Sequence, residues 1–327
     1  MSMMNSKFAM KSVLMMGAAA GMMMASGGAR AQSSGYTFTA ISAPLGTGGT
    51  FAQGINDSGQ IVGYYYGGSG ASGFIDTNGT FTTVGGSTRN YPQGINNNRE
   101  ITGYYQNMQS FTDTNGTFTT INGGAGGTQA QGINDSGQIV GMYVTYPGNG
   151  GYNYSGFLDT NGTFTAVNAP LGTKENWIWD INNSGQIVGA YEDSSGATHG
   201  FIDTNGTFTT INDPLGADGT DAYGINDIGQ IVGAYVDISG ATHGFLDTNG
   251  TFMTIFGPGS SAVGINNAGL IVGHDSTGSF LATPDATSTD GAPLPVTGGT
   301  LPGALVLLGW LGRRVARRTS HVGGKRS

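Results

Sequence analysis

Two phrases recur along this chain, and their copy numbers differ by one. "GINDSGQIVG" at 54–63 has counterparts beginning at 94, 132, 180, 224 and 264, six in all, whereas "GFIDTNGTFTTV" at 73–84 recurs only at 110–121, 156–167, 200–211 and 244–255. The six starts are 40, 38, 48, 44 and 40 residues apart, a period that belongs to propeller blades of four short strands. Each unit reads as strand A ending in "GIN", strand B "QIVGYY", strand C "GFIDT" and strand D "TFTTI". Thr, Ile, Val, Tyr and Phe dominate them, and no helical period survives. The Asn-Gly between C and D predicts type I′ hairpins, in which both turn residues have positive φ. The A–B turn wants a left-handed glycine such as Gly59; Arg99 holds that place in the second unit, where the turn should be strained or altered.

The unequal counts fix the architecture. The sixth unit ends in "SFLATP" (279–284), a strand C with no Asn-Gly and no strand D behind it, and the repeat region opens with "YTFTAI" (36–41), a strand D with no strand C before it. A closed ring reunites the two halves. The expectation is an all-β, six-bladed β-propeller of four-stranded blades over 32–284, closed by its N-terminal strand. An open β-solenoid is the alternative, but it needs no complementary half-repeats at its ends. In such blades the A–B and C–D turns share one face, with little variation from unit to unit. The B–C and D–A loops share the other and differ from blade to blade, so ligand recognition is expected there.

Charge narrows the partners. Between 32 and 284 there are three basic residues (Arg89, Arg99, Lys174) against eighteen acidic ones, which disfavours nucleic acid and anionic lipid surfaces. Without cysteine there are no disulfides and no thiolate metal sites. No HExxH, GxSxG or P-loop occurs, so no enzymatic role is expected. His199 and His243 hold equivalent places in neighbouring units and are read as repeat inheritance rather than as metal ligands. The Asp of each "DTNG" (Asp76, Asp113, Asp159, Asp203, Asp247) is expected to support its turn by an Asx-type bond, with calcium there as the alternative. Asn56, Asn96, Asn134, Asn182, Asn226 and Asn266 should cap turns in the same way. No cofactor is otherwise expected.

The non-repeated residues of the variable loops are the candidate binding set: Trp177, Trp179, Tyr191, Glu192, Asp193, Asp218, Asp221 and Tyr223. Glu175, Asp213 and Asp237, and Tyr143, Tyr146, Tyr152 and Tyr154 of the third unit, lie among the same loops. Aromatic faces beside carboxylates suit an extracellular polysaccharide. A suitably spaced carboxylate pair would instead make a glycoside hydrolase or lyase. For Trp179 and Tyr223 the structural alternative is packing between blades.

Both ends read as addresses. Residues 1–31 place Lys7 and Lys11 before an apolar run and "ARA" at 29–31, the order of a secretory signal peptide. After a linker at 285–300, residues 301–327 carry an apolar segment of 11 residues, too short for a span of about 20, and then Arg313, Arg314, Arg317 and Arg318. Leu294-Pro295-Val296-Thr297-Gly298 matches the LPxTG signal of sortase substrates. The Pro-rich lead and Arg-rich end also resemble PEP-CTERM tails, read by exosortases in biofilm-forming bacteria, although Pro293-Leu294-Pro295 stands where that family has Pro-Glu-Pro. Either resemblance implies a sorting transpeptidase as partner and only transient membrane contact, through the tail.

The repeat itself resembles the HAF repeat of bacterial extracellular proteins, which pairs a "GINxxGqiVG" hairpin with a His-Ala-Phe hairpin. Here the second element reads His199-Gly200-Phe201 and His243-Gly244-Phe245, and other units carry Ser or Gly before Phe. The resemblance covers 36–284. It implies an exported repeat protein and brings no catalytic residue with it. The reading is a secreted surface or extracellular-matrix protein that acts as a non-catalytic scaffold or binding module.

Overall fold

The computed structural model describes residues 35–85, 89–123, 127–145, 153–169 and 175–285. Those residues form 24 strands in six four-stranded antiparallel sheets, with no helix among them. Blade 1 shows the pattern: strands A to D are Thr50–Ile55, Ile61–Gly67, Gly70–Thr77 and Thr80–Val84, paired in that order from the axis outward. Blades 2 to 5 repeat it within 90–121, 127–167, 176–211 and 219–254. The strand A of each blade packs beside those of its two neighbours, and blade 6 returns to blade 1. The ring is closed, so the solenoid alternative falls. The signal peptide, the linker beyond Asp285, the sorting motif and the tail, together with Tyr146 and Tyr152, lie outside the described residues.

Closure follows the half-repeats. Blade 6 takes strands A to C from Ser261–Ile265, Ile271–Asp275 and Gly278–Pro284, and its strand D is Tyr36–Ile41. The register runs from Tyr36 opposite Pro284 to Ile41 opposite Ser279. Side chains show the same substitution. In the complete blades the Phe of "GF" is buried and meets the Phe of "TF", with ring centroids 5.1 Å apart for Phe74–Phe81 and 5.4 Å for Phe245–Phe252. In blade 6 Phe280 meets Phe38 of the N-terminal strand at 5.8 Å. Burying one such ring contributes roughly 1.5–3 kcal/mol, so each blade carries its own apolar anchor.

The turns follow the sequence signals. Asn78 and Gly79 have φ of 53° and 83°, and the other four Asn-Gly pairs match them, as a type I′ turn requires. Asp113, Asp159, Asp203 and Asp247 each accept the N–H of the turn glycine at 2.6–2.7 Å. Burial raises the pKa of these carboxyls, and the glycine N–H partly offsets it. Arg99 adopts φ 63° where Gly59 has 74°, and the turn keeps its Arg99 N–H to Asn96 carbonyl bond at 3.1 Å. The turn is strained, not altered.

Candidate functional site

Each strand A breaks register once before its "GIN" (five units) or "DIN" (unit 4), between Ala52 and Gly54 in blade 1 and at the matching place in every other blade. Such a bulge re-aims the extra residue. The extra residues are Gln53, Gln93, Gln131, Trp179, Tyr223 and Val263, and all six line one cavity on the ring's axis. The glycine that follows permits close approach of the next blade: a Cβ on Gly54 would meet the Gln93 carbonyl oxygen at 2.7 Å. Blade 4 carries Asp180 there, and its carboxylate accepts the N–H of Ile181 at 2.9 Å and of Ile225 at 3.1 Å.

At the repeated face, two residues per blade knit the ring together. Asn56 accepts the Gln60 N–H at 3.0 Å, capping its own turn as expected. It also donates to the Asn96 carbonyl of the next blade at 3.1 Å, and the same bond repeats around the circle until Asn266 donates to Asn56. The following position alternates: Asp57, Asn97, Asp135, Asn183, Asp227, Asn267. Each backbone N–H there donates to the next blade's Oδ1 at 2.7–2.8 Å. Each Asn Nδ2 donates to the Oδ2 atoms of both flanking aspartates at 2.8–3.0 Å. Three side-chain-mediated bonds thus cross every blade junction. The capping role was legible in the sequence. The bonds between blades were not, although the D/N alternation that signals them is plain.

The variable face holds the predicted binding residues in two settings. Trp177, Trp179, Asp221 and Tyr223 come from strands A of blades 4 and 5 and are buried. Trp179 of blade 4 and Tyr223 of blade 5 meet edge-to-face at 5.7 Å, so they pack between blades, in line with the structural alternative, at the wall of the channel. Tyr191 is buried too, stacked on His199 at 5.2 Å. The expected stacking of a ligand on these four aromatic faces is corrected here, because neighbouring side chains already cover them. Burial pushes the Asp221 carboxyl up to about 7, against a smaller opposing effect of its hydrogen bond from Tyr223.

Glu192 ends strand B of blade 4, Asp193 and Asp218 lie in the loops, and Asp193 is committed locally. Its Oδ1 accepts the Ser195 N–H at 2.8 Å, the Ser195 hydroxyl at 2.6 Å and the Ala197 N–H at 3.0 Å, and its Oδ2 meets His199 Nε2 at 3.0 Å. The Ser195 hydroxyl, then His199 and the Ala197 N–H, hold this carboxyl well below the usual range. Asp237 and His243 repeat the arrangement in blade 5, at 2.8 Å. The two histidines are latches of their B–C loops. Among the described residues no three His, Asp or Glu side chains are grouped tightly enough to form a metal-ligand cluster.

Half-exposed aromatics cluster instead in blades 1 and 2. Phe51 stacks on Tyr64 at 5.2 Å and meets Tyr66 at 5.8 Å; Tyr64 meets Tyr91 at 5.0 Å, and Tyr91 stacks on Tyr104 at 5.4 Å. Tyr64 and Tyr104 are buried, while Phe51, Tyr66 and Tyr91 are partly exposed. These residues start strands A or end strands B, which places them at the variable-face end of the channel. Asp221 holds in blade 5 the strand position of Phe51 and Tyr91. The signal for this cluster was the tyrosine run "YYYGG" and its partner "GYYQ", read in the sequence only as loop variation.

The fold and its sealed ring define a six-bladed β-propeller. No family model matches the chain, and neither does any curated protein. Among solved structures it is similar to a gluconolactonase from Xanthomonas campestris, at 12% identity and a TM-score of 0.49 over 72% of this chain and 87% of that one. The β-propeller domain of the Trilobed protease from Pyrococcus furiosus gives 11% and 0.48 over 72% and 81%. A fucoside complex of the Aleuria aurantia lectin gives 11% and 0.44 over 74% and 96%. Alignments of this quality carry no residue of those proteins onto this one.

Proposed function

We propose that the chain is exported and works at the cell surface or in the extracellular matrix as a non-catalytic binding scaffold, its variable face engaging a sugar polymer. The observation that carries this reading is the half-exposed ring cluster of Phe51, Tyr66 and Tyr91 at the channel's variable end. Partly exposed rings suit the apolar faces of a sugar, and the hydroxyls of Tyr66 and Tyr91 suit its hydroxyl groups. The acidic balance of the ring favours neutral or cationic polymers over anionic ones. Export rests on the basic, apolar and small-residue order of 1–31, and surface retention on the sorting motif at 294–298.

The test is a glycan array probed with the purified protein, its Phe51→Ala/Tyr66→Ala variant and its Glu192→Ala variant. Binding lost with the aromatic pair, in a variant that still melts cooperatively, supports the reading. Binding that survives both variants, or no binding to any polymer, removes it. A catalytic alternative draws support from Asp221, whose pKa of about 7 is that of a group able to give or take a proton near neutrality. New reducing ends released from an array polymer by the parent, and not by Asp221→Asn, would favour a carbohydrate-active enzyme over the scaffold.

A further inference from the structure

Five of the six blade junctions are sealed by the same kind of apolar pair, and one is not. On the face that meets the next blade, strands B and C pair Val62 with Ile75, Val140 with Leu158, Val188 with Ile202, Val232 with Leu246 and Val272 with Leu281. Each of these Ile or Leu side chains shares a cluster with two isoleucines and a phenylalanine of the following blade, as Ile75 does with Ile95, Ile101 and Phe118. Blade 2 carries Thr102 and Thr112 at the two places. The residues that await them on blade 3, Ile133, Ile139 and Phe164, receive no apolar side chain from those strands. A cavity of about 750 Å³ lies there, lined by Thr112 and by all three, a size that suits a small-molecule site of about 300–1,000 Å³. Its two walls differ in chemistry. Blade 3 offers the apolar side chains, and blade 2 offers the hydroxyls of Thr112, Thr114 and Thr119 with the carboxylate of Glu100. Glu100 is itself a departure. Gln60, Gln138, Gln186 and Gln230 hold its place elsewhere, and each donates to a threonine hydroxyl of its own blade at 3.3 Å. Glutamate has no such hydrogen, so Thr114 goes without that bond. One Glu100 oxygen accepts from Asn96 at 2.7 Å, and the other accepts nothing from the described residues.

We propose that this groove between blades 2 and 3 binds a pyranose ring of a sugar that carries no acidic group. A pyranose has an apolar C–H face and an edge of hydroxyls, and the groove has one wall for each. The C–H face packs on Phe164 beside Ile133 and Ile139. The hydroxyl edge meets Glu100, which accepts hydrogen bonds only, and the threonines, which both give and accept them. A wholly apolar ligand would bury these polar groups without partners, at a cost. Charge sets the remaining limit. The wall also includes Asp135 and Asp159 and has no lysine, arginine or histidine, so phosphates, uronic acids and sulfated sugars are repelled. Phe51, Tyr66 and Tyr91 do not border this groove, and neither site depends on the other.

The experiment returns blade 2 to the pattern of the other blades and reads sugar binding on the full chain. Thr112→Leu restores the apolar seal, and Glu100→Gln restores the amide. The probe is an array of neutral, N-acetylated and uronic-acid oligosaccharides. The parent should bind at least one neutral or N-acetylated sugar. Thr112→Leu should weaken that binding by about tenfold or more while melting higher than the parent, because the junction is then closed. Glu100→Gln should weaken it too, and Thr112→Ser, which keeps the hydroxyl, should retain it. The Phe51→Ala/Tyr66→Ala variant should also retain it, which separates this groove from the channel cluster. Unchanged binding by Thr112→Leu overturns the proposal, as does an array on which only uronic acids, or no sugars, bind. A sugar lost with the aromatic pair but kept by Thr112→Leu and Glu100→Gln assigns binding to the channel alone and overturns the groove. Should Thr112→Leu fail to fold, Glu100→Gln decides, and undiminished binding by that variant overturns the proposal.

Discussion

Replacing Asp221 with asparagine should make the protein more stable at neutral pH, and the gain should disappear in acid. Asp221 is 7% exposed, and burial raises its carboxyl from 3.8 to about 7. The folded state therefore prefers the protonated acid, while the unfolded chain ionises it near the ordinary value. A raised folded-state pKa contributes stability that is complete below about pH 4 and is lost as pH climbs through about 7. A shift of that size at 1.36 kcal/mol per unit corresponds to about 4 kcal/mol, an upper figure because water entry and relaxation reduce it. Asparagine has nearly the same shape, keeps an acceptor for Tyr223 and never ionises. Other buried carboxyls such as Asp213 and Asp247 shift in the same direction, but they titrate equally in both proteins and cancel in the comparison. The assay is guanidinium unfolding of parent and variant from pH 4 to pH 8.5. The curves should nearly coincide at the acid end, separate between about pH 4 and 7, and run parallel above. A gap that is constant across the range, or that opens only in acid, refutes the argument.

Four further outcomes are expected. Deleting residues 32–42 removes the outer strand of blade 6, with buried Tyr36 and Ile41 and the Phe38–Phe280 contact; the melting temperature should fall sharply, and light scattering should show association through the uncovered edge. Cysteines at Thr39 and Leu281, which face each other in register, should form a disulfide in the folded monomer, whereas pairs moved by one residue should form it poorly. Arg99→Gly should raise stability by about 1 kcal/mol by relieving the left-handed backbone at φ 63°, read as a higher denaturant midpoint with an unchanged slope. Mass spectrometry of protein extracted from the source cell's surface should find a start near Gln32 and loss of the 301–327 segment; a full-length cytoplasmic product removes the export proposal.

Repeats made the fold legible, because strand order, turn type and closure each leave a periodic mark. Asn-Gly announces its hairpin locally, and the orphan "YTFTAI" and "SFLATP" could only be halves of one sheet. The channel was harder to read. Gln53, Trp179 and Tyr223 look interchangeable along the sequence, and only the bulge before each "GIN" (or "DIN") turns them toward the axis. Trp177 and Tyr191 looked like loop aromatics offered to a ligand. Strand pairing instead sets Trp177 opposite Ala190 and Tyr191 opposite His199, where each fills space or stacks. Burial of that kind depends on the size of the partner residue, which no single repeat records. Phe51 and Tyr91 went unnoticed for the converse reason: both sit in strands A, yet both are partly exposed.

The alternation of Asp57, Asn97, Asp135, Asn183, Asp227 and Asn267 has a consequence for how such a ring can grow. Each aspartate needs an amide on both sides, and each amide needs a carboxylate on both sides. Only an even number of blades satisfies that rule. Inserting or losing one repeat would seat two carboxylates side by side, without donors, or two amides without acceptors. The hydrogen-bonding pattern therefore repeats every two blades, three times around the ring. Duplication in this architecture should proceed by twos, through four, six or eight blades, with odd counts closed to it unless the residue after each "GIN" (or "DIN") changes as well.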